Sequence, residues 1–187
     1  MISWSIRKIA VPLPVQFQNG VVPAIFLTFK NCDTMMYLTK NFTFEELCYS
    51  ATAERRGIKN MPENAAKEAI VRENLTVLCE QVLQPLRDHL GKEVRINSGF
   101  RTVVVNRMVD GVATSQHLLG EAADIRIESA AQGCQWAQWI MDNCRFDQML
   151  LEKSGTAVWL HVSCKRTLEL NRQQFKALVV RSKVVRS

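Results

Sequence analysis

The sequence predicts an α+β fold in which helices pack on a small, mostly antiparallel sheet. Three observations lead there. Segments with helical periodicity dominate the first half of the chain, and short strand-like apolar runs separated by turn residues crowd the second. The last two of these runs, joined by Lys153-Ser154-Gly155-Thr156, read as a β-hairpin. With 187 residues, 47% of them hydrophobic and 22% charged, the chain has the size and composition of one globular domain with an adequate core. No apolar run approaches the ~20 residues that a membrane-spanning helix needs.

The elements follow in order. Residues 1–36 hold three of the five prolines, no acid before Asp33 and no sustained period. They are expected to be a leader, poorly ordered or outside the natural domain, with Met35 and Met36 marking the expected natural start. Thr43-Phe44-Glu45-Glu46 is a capping box, opening a short helix that stops by Gly57. Asn60, Pro62 and Glu63 open a longer one. Its apolar face is Val71, Leu75, Leu78, Val82 and Leu86, Pro85 is expected to kink it, and Gly91 ends it. Residues 93–97 read as a strand, followed by Ser98-Gly99-Phe100-Arg101, a brief helix to Val109 and a turn at Asp110-Gly111. Residues 122–127 form a strand, Ser129 caps a helix to about Asn143, and residues 146–152 and 157–163 form the hairpin. Residues 175–187 are expected to be a basic tail.

Charge narrows the function classes. The net charge of +6 resides entirely in residues 165–187, where seven Lys/Arg face the single acid Glu169; the rest of the chain is balanced. A nucleic-acid partner is therefore not expected. Six scattered cysteines without a Cys-x-x-Cys pair read as reduced, buried thiols and argue against a cysteine-ligated metal.

Two of the three histidines stand in unusual company. His117 lies in Ser115-Gln116-His117-Leu118-Leu119-Gly120-Glu121-Ala122-Ala123-Asp124, and His161 in Trp159-Leu160-His161-Val162-Ser163. Gly120 allows the chain to bend after His117, and the small Ala122 and Ala123 let a strand pass close, returning Asp124 toward the same point. Two imidazoles and a carboxylate with one position open to water describe a catalytic rather than a structural zinc site. Singly, a strand histidine is more often a hydrogen-bonded core residue, and a strand aspartate an edge charge. The joint spacing is what points to a metal. His89 reads as a group at a helix end, and Trp136 and Trp139 as packing.

Ser-x-His-x-x-Gly-x-Ala-x-Asp followed by Trp-x-His resembles the zinc D-Ala-D-Ala carboxypeptidase family, which includes bacterial wall carboxypeptidases, D-Ala-D-Ala dipeptidases and phage endolysins. The resemblance is strongest to its small phage- or prophage-type branch, whose fold resembles the hedgehog signalling domain. Phe42-Thr43-Phe44-Glu45-Glu46-Leu47, Val82-Leu83-Gln84-Pro85-Leu86-Arg87, Ile96-Asn97-Ser98-Gly99-Phe100-Arg101, Phe146-Asp147-Gln148 and Asn171-Arg172 add to it. It spans residues 37–174, the expected peptidase domain. It implies one zinc ion on His117, Asp124 and His161, and hydrolysis of peptidoglycan stem peptides by a zinc-activated water, as a D,D-carboxypeptidase or an endolysin-type endopeptidase. Many relatives place an acid three residues before the last histidine, where this chain has Val158. The resemblance therefore assigns the catalytic base to Glu152 on the preceding strand, against a reading as a solvated strand-end charge. Arg101 is the candidate for stabilising developing charge or binding a terminal carboxylate, or else a structural arginine. Ser115 would bond substrate or cap its turn, Trp159 would line the cleft or the core, and Asp147 and Gln148 would orient a ligand histidine. A monomer is implied, made in the cytoplasm and acting at the wall after release. The alternative is a non-catalytic, zinc-stabilised module that binds wall or protein.

Overall fold

The computed structural model describes residues 35–180; the expected leader, apart from Met35 and Met36, and the last seven residues of the expected tail lie outside the described residues. Helices α1 (Phe44–Cys48) and α2 (Ala51–Arg55) stand where one short helix was expected. Thr43 caps the first, its hydroxyl accepting from the Glu46 amide, as the capping box requires. The chain then turns extended at Tyr49, and Ser50 caps a second start by accepting from the Ala53 amide. A second strong cap in the sequence breaks what periodicity alone would join.

Helix α3 (Ala65–Leu78) begins at Asn64, whose side chain accepts from the Lys67 amide, rather than at Asn60. Asn60 is buried and serves as a bracket instead. Its amide donates to the Cys48 and Phe100 carbonyls, and its oxygen accepts from the Thr102 amide. The expected disturbance at Pro85 takes the form of a π-helical turn, Cys79–Leu83, leading into α4 (Gln84–Leu90). The Gln84 amide reaches back to the Cys79 carbonyl, and this widened turn admits a ring that lacks an N–H. Gly91 closes α4 in the left-handed region at φ 61°.

Strand β1 (Ile96–Ser98) and helix α5 (Val103–Met108) precede β2 (Ala122–Arg126), helix α6 (Ala130–Asn143), β3 (Gln148–Ser154) and β4 (Ala157–Ser163). The sheet runs β1-β2-β4-β3-β5, antiparallel except that β5 (Gln174–Val180) lies parallel to β3. The segment expected to be tail from residue 175 thus begins as an edge strand of the sheet. The hairpin closes more tightly than expected, with Ser154 opposite Ala157 and Gly155 at φ 60°.

Alternation along the strands creates two faces. Ala123, Ile125, Met149, Leu151, Leu160 and Val162 share one face and join a buried cluster with Leu75 and Leu78 of α3 and Ala137 and Ile140 of α6. Burying each of the Val, Leu, Ile and Met side chains contributes roughly 1.5–3 kcal/mol. The opposite face carries Asp124, Leu150, Glu152, Trp159 and His161. The thiols of Cys48, Cys79, Cys134, Cys144 and Cys164 are free, and burial pushes Cys48 up to about 12 and Cys164 up to about 11.

Candidate metal centre

His117 sits in a 3-10 turn, Gln116–Leu119, which ends on Gly120 at φ 74°. A Cβ on Gly120 would also meet Val71 at 3.0 Å, so both backbone and packing demand glycine there. The chain then enters β2, and Asp124 lies directly opposite His161 of β4 in the sheet register. All three side chains are buried and meet at one point. His161 Nδ1 is 2.9 Å from Asp124 Oδ1, His117 Nε2 is 3.3 Å from the same oxygen, and the two ring nitrogens are 3.3 Å apart. Tetrahedral bonds of 2.0–2.1 Å place ligand atoms about 3.3–3.4 Å apart. The spacing of the three donor atoms therefore fits residues that would hold one zinc ion.

Protonation suits the same purpose. His117 Nδ1 lies 2.6 Å from the Gly99 carbonyl, which can only accept, so Nδ1 carries the proton and Nε2 offers its lone pair. Burial lowers the pKa of His117, with the Asp124 charge opposing, which favours the neutral imidazole. For Asp124, burial alone would raise the carboxyl, but the two adjacent imidazoles outweigh it and hold it well below the usual range.

Arg101 stands against this group. Its Nη2 donates to Asp124 Oδ2 at 2.5 Å, the oxygen turned away from the histidines' contact, and Nε donates to Ser98 Oγ at 2.8 Å. Nη2 is also 3.2 Å from His117 Nε2. Both readings of Arg101 thus share one position: it pairs with the buried acid, and it lines the cleft over the site. Glu152 is 2% exposed, which overturns its reading as a solvated strand-end charge. Its register partner is Trp159, whose indole N–H donates to Glu152 Oε2 at 2.7 Å. It sits on the face of His161, one diagonal step away, within reach for a long side chain.

The family model described as Peptidase M15 matches residues 40–163, two-thirds of the chain. The chain belongs to the peptidase M15 family. No curated protein matches it in a sequence search. As an M15 member it is a peptide hydrolase of a zinc-dependent family, and His117, Asp124 and His161 are the residues that could hold the metal. Among the described residues, no helix is long and apolar enough to cross a membrane.

The M15 site opens into a cleft of about 490 Å³. It is lined by the segment around Gly111, Val112, Thr114 and Ser115, by Leu150 and Gln148 of β3, and by Lys165 and Arg172. Ser115 lines the cleft at the cap position of the 3-10 turn, yet its side chain makes no capping bond. Asp147 and Gln148 do not touch a ligand histidine. Asp147 is fully buried and accepts from Arg172 Nε, Nη2 and backbone N and from Gln116 Nε2, while Gln148 bonds Gln174 and the Ser163 hydroxyl. Trp139 stacks on His89, with ring centroids 4.4 Å apart. Sequence reasoning missed the Gly99 carbonyl and the Asn60 bracket. Backbone acceptors carry no residue-type signal, and a lone asparagine looks like any turn residue.

Proposed function

We propose that this M15 peptidase cleaves the stem peptides of peptidoglycan, as a D,D-carboxypeptidase or an endolysin-type endopeptidase. The observation that carries this reading is an open cleft ending on a three-ligand group with a buried glutamate on the same sheet face. The motif resemblance over residues 37–174 supplies the substrate class. Zinc held by His117, Asp124 and His161 would acidify a water toward a pKa of ~7 and polarise the scissile carbonyl. Glu152 takes the proton of the attacking water and returns it to the leaving amine. The Trp159 indole N–H donates to one Glu152 oxygen and so restrains the carboxylate. Arg101 keeps Asp124 ionised and oriented, and its charge offsets the negative charge developing on the carbonyl oxygen. Ser115 offers its hydroxyl to the bound peptide backbone. The substrate lies outside the cytoplasmic membrane, and in this reading the enzyme, made in the cytoplasm, acts at the wall after release across that membrane.

Glu152→Gln tests the base directly. The variant keeps its zinc and loses at least about 100-fold in turnover on purified walls; wild-type rates in that variant remove Glu152 from the mechanism. Val158, where many relatives carry an acid, favours a second reading as a non-catalytic wall-binding module. Zinc-dependent wall binding without release of any fragment selects it.

A further inference from the structure

Part of the cleft lining consists of groups that the hydrolytic reading does not use. Arg172 and Lys165 both line it, and both reach the same buried carboxylate, Asp147. Arg172 meets Asp147 edge to edge, Nε on Oδ1 at 2.9 Å and Nη2 on Oδ2 at 2.5 Å, and its backbone N–H also donates to Oδ1 at 3.0 Å. Gln116 Nε2 holds Oδ2 from the other side, at 2.9 Å, and Lys165 Nζ lies 3.5 Å from Oδ1. One carboxylate thus anchors two cations. Asp147 is 0% exposed, whereas the Arg172 side chain is 49% exposed and its Nη1 makes no hydrogen bond among the described residues. This arrangement fixes the guanidinium in place and leaves it with donor capacity at the cleft.

Position along β3 gives the spacing. Leu150 lies on the rung of Asp124 and His161, Glu152 is two residues beyond it, and Asp147 is three residues before it. At ~3.3 Å per strand residue, the cation pair is anchored about 10 Å from the metal rung, on the side opposite Glu152. An extended peptide covers that distance in about three residues. Leu150 and Gln148, the β3 residues that line the cleft, are uncharged. Glu121 lines the same cleft and interacts electrostatically with Lys165, which leaves Arg172 as the principal donor toward a ligand.

The geometry points to a carboxylate-recognition subsite made by Arg172 and Lys165, which selects peptides bearing an acidic group two or three residues from the scissile bond. This inference rests on the peptidase reading for its substrate, and binding measurements separate the two. The probes are two pentapeptides ending in D-alanyl-D-alanine, identical except for glutamate or glutamine at the second position. The zinc-loaded full chain cleaves the glutamate form with a kcat/KM at least about tenfold higher, the difference lying in KM, as expected for losing a charge-assisted bond. In Arg172→Gln the ratio falls toward one, and Arg172→Lys restores part of it. Lys165→Gln, at a more loosely held side chain, lowers the ratio part-way and carries the test should Arg172→Gln fail to fold. The same pair of peptides is titrated into zinc-loaded Glu152→Gln. Tighter binding of the glutamate form with no cleavage by the wild type upholds the subsite and sinks the peptidase reading. Equal cleavage and equal binding of both peptides overturn the subsite. So does a preference that survives Arg172→Gln, or a loss in that variant that is the same for both peptides.

Discussion

Replacing Gly99 by alanine tests whether the metal centre depends on backbone placed by the first half of the fold. An added Cβ would lie 2.3 Å from the Leu47 carbonyl oxygen and 3.0 Å from both Leu47 C and Leu47 Cδ1. The oxygen is not free to retreat, because it accepts the Phe100 amide at 2.7 Å. Ordinary contact requires β1 and α1 to separate by about 1 Å, and overpacking of this kind costs about 1–3 kcal/mol. Weakening the buried Phe100–Leu47 bond adds roughly 1 kcal/mol, for a total of about 2–4 kcal/mol. The shift also moves the Gly99 carbonyl, which fixes the tautomer and the ring of His117 at 2.6 Å. Loss of such an outer partner typically lowers metal affinity 10- to 100-fold. Urea unfolding of the metal-free protein measures the first effect, and zinc competition against a chromophoric chelator measures the second. Gly155→Asn is the control, since Gly155 faces open space and asparagine tolerates its φ of 60°. A Gly99→Ala protein with wild-type stability and wild-type zinc affinity refutes the reasoning.

Two further outcomes follow from the same geometry. Asn60→Ala deletes two buried bonds and a half-buried one, and leaves the Cys48 and Phe100 carbonyls and the Thr102 amide without them; calorimetry should record about 2–4 kcal/mol lost, or roughly 5–15 °C in Tm. For Asp147, burial alone would raise the carboxyl, but hydrogen bonds from Arg172 and Gln116 outweigh it and hold it at about 2, against the ordinary 3.8. A depressed carboxyl contributes stability that is full above pH 4 and is lost as pH falls toward 2. After allowance for screening at half-exposed Arg172, that is about 1–2 kcal/mol. Denaturation of Asp147→Asn should show a deficit relative to wild type at pH 6 that shrinks by this amount at pH 2.5, and a constant deficit counts against the linkage.

The parts of this fold that were legible in the sequence are those written locally. The Thr43 capping box, the Ser129 cap, the Gly91 stop and the hairpin at Gly155 each depend on residues within a few positions of one another, and each appears where its signal stands. The metal group was legible for a different reason: its residue types are rare and their spacing is joint. Strand β5 was not legible, because its partner β3 lies some 25 residues away in a parallel pairing that leaves no turn signal, and Lys176 looks like tail charge. Asp147 was misread from position: it adjoins the cleft-lining Gln148 in sequence, but its carboxylate bonds Gln116 and Arg172 instead of the histidines. The π-turn ahead of Pro85 follows from a missing N–H whose exact remedy no periodicity predicts.

Metal content with X-ray absorption on the purified chain bears most directly on the central claim. The account predicts about one zinc per chain in a four-coordinate shell of nitrogen and oxygen, lost in His117→Ala and in His161→Ala. A sulfur ligand, a closed shell of protein atoms, or full zinc retention in both variants would contradict it.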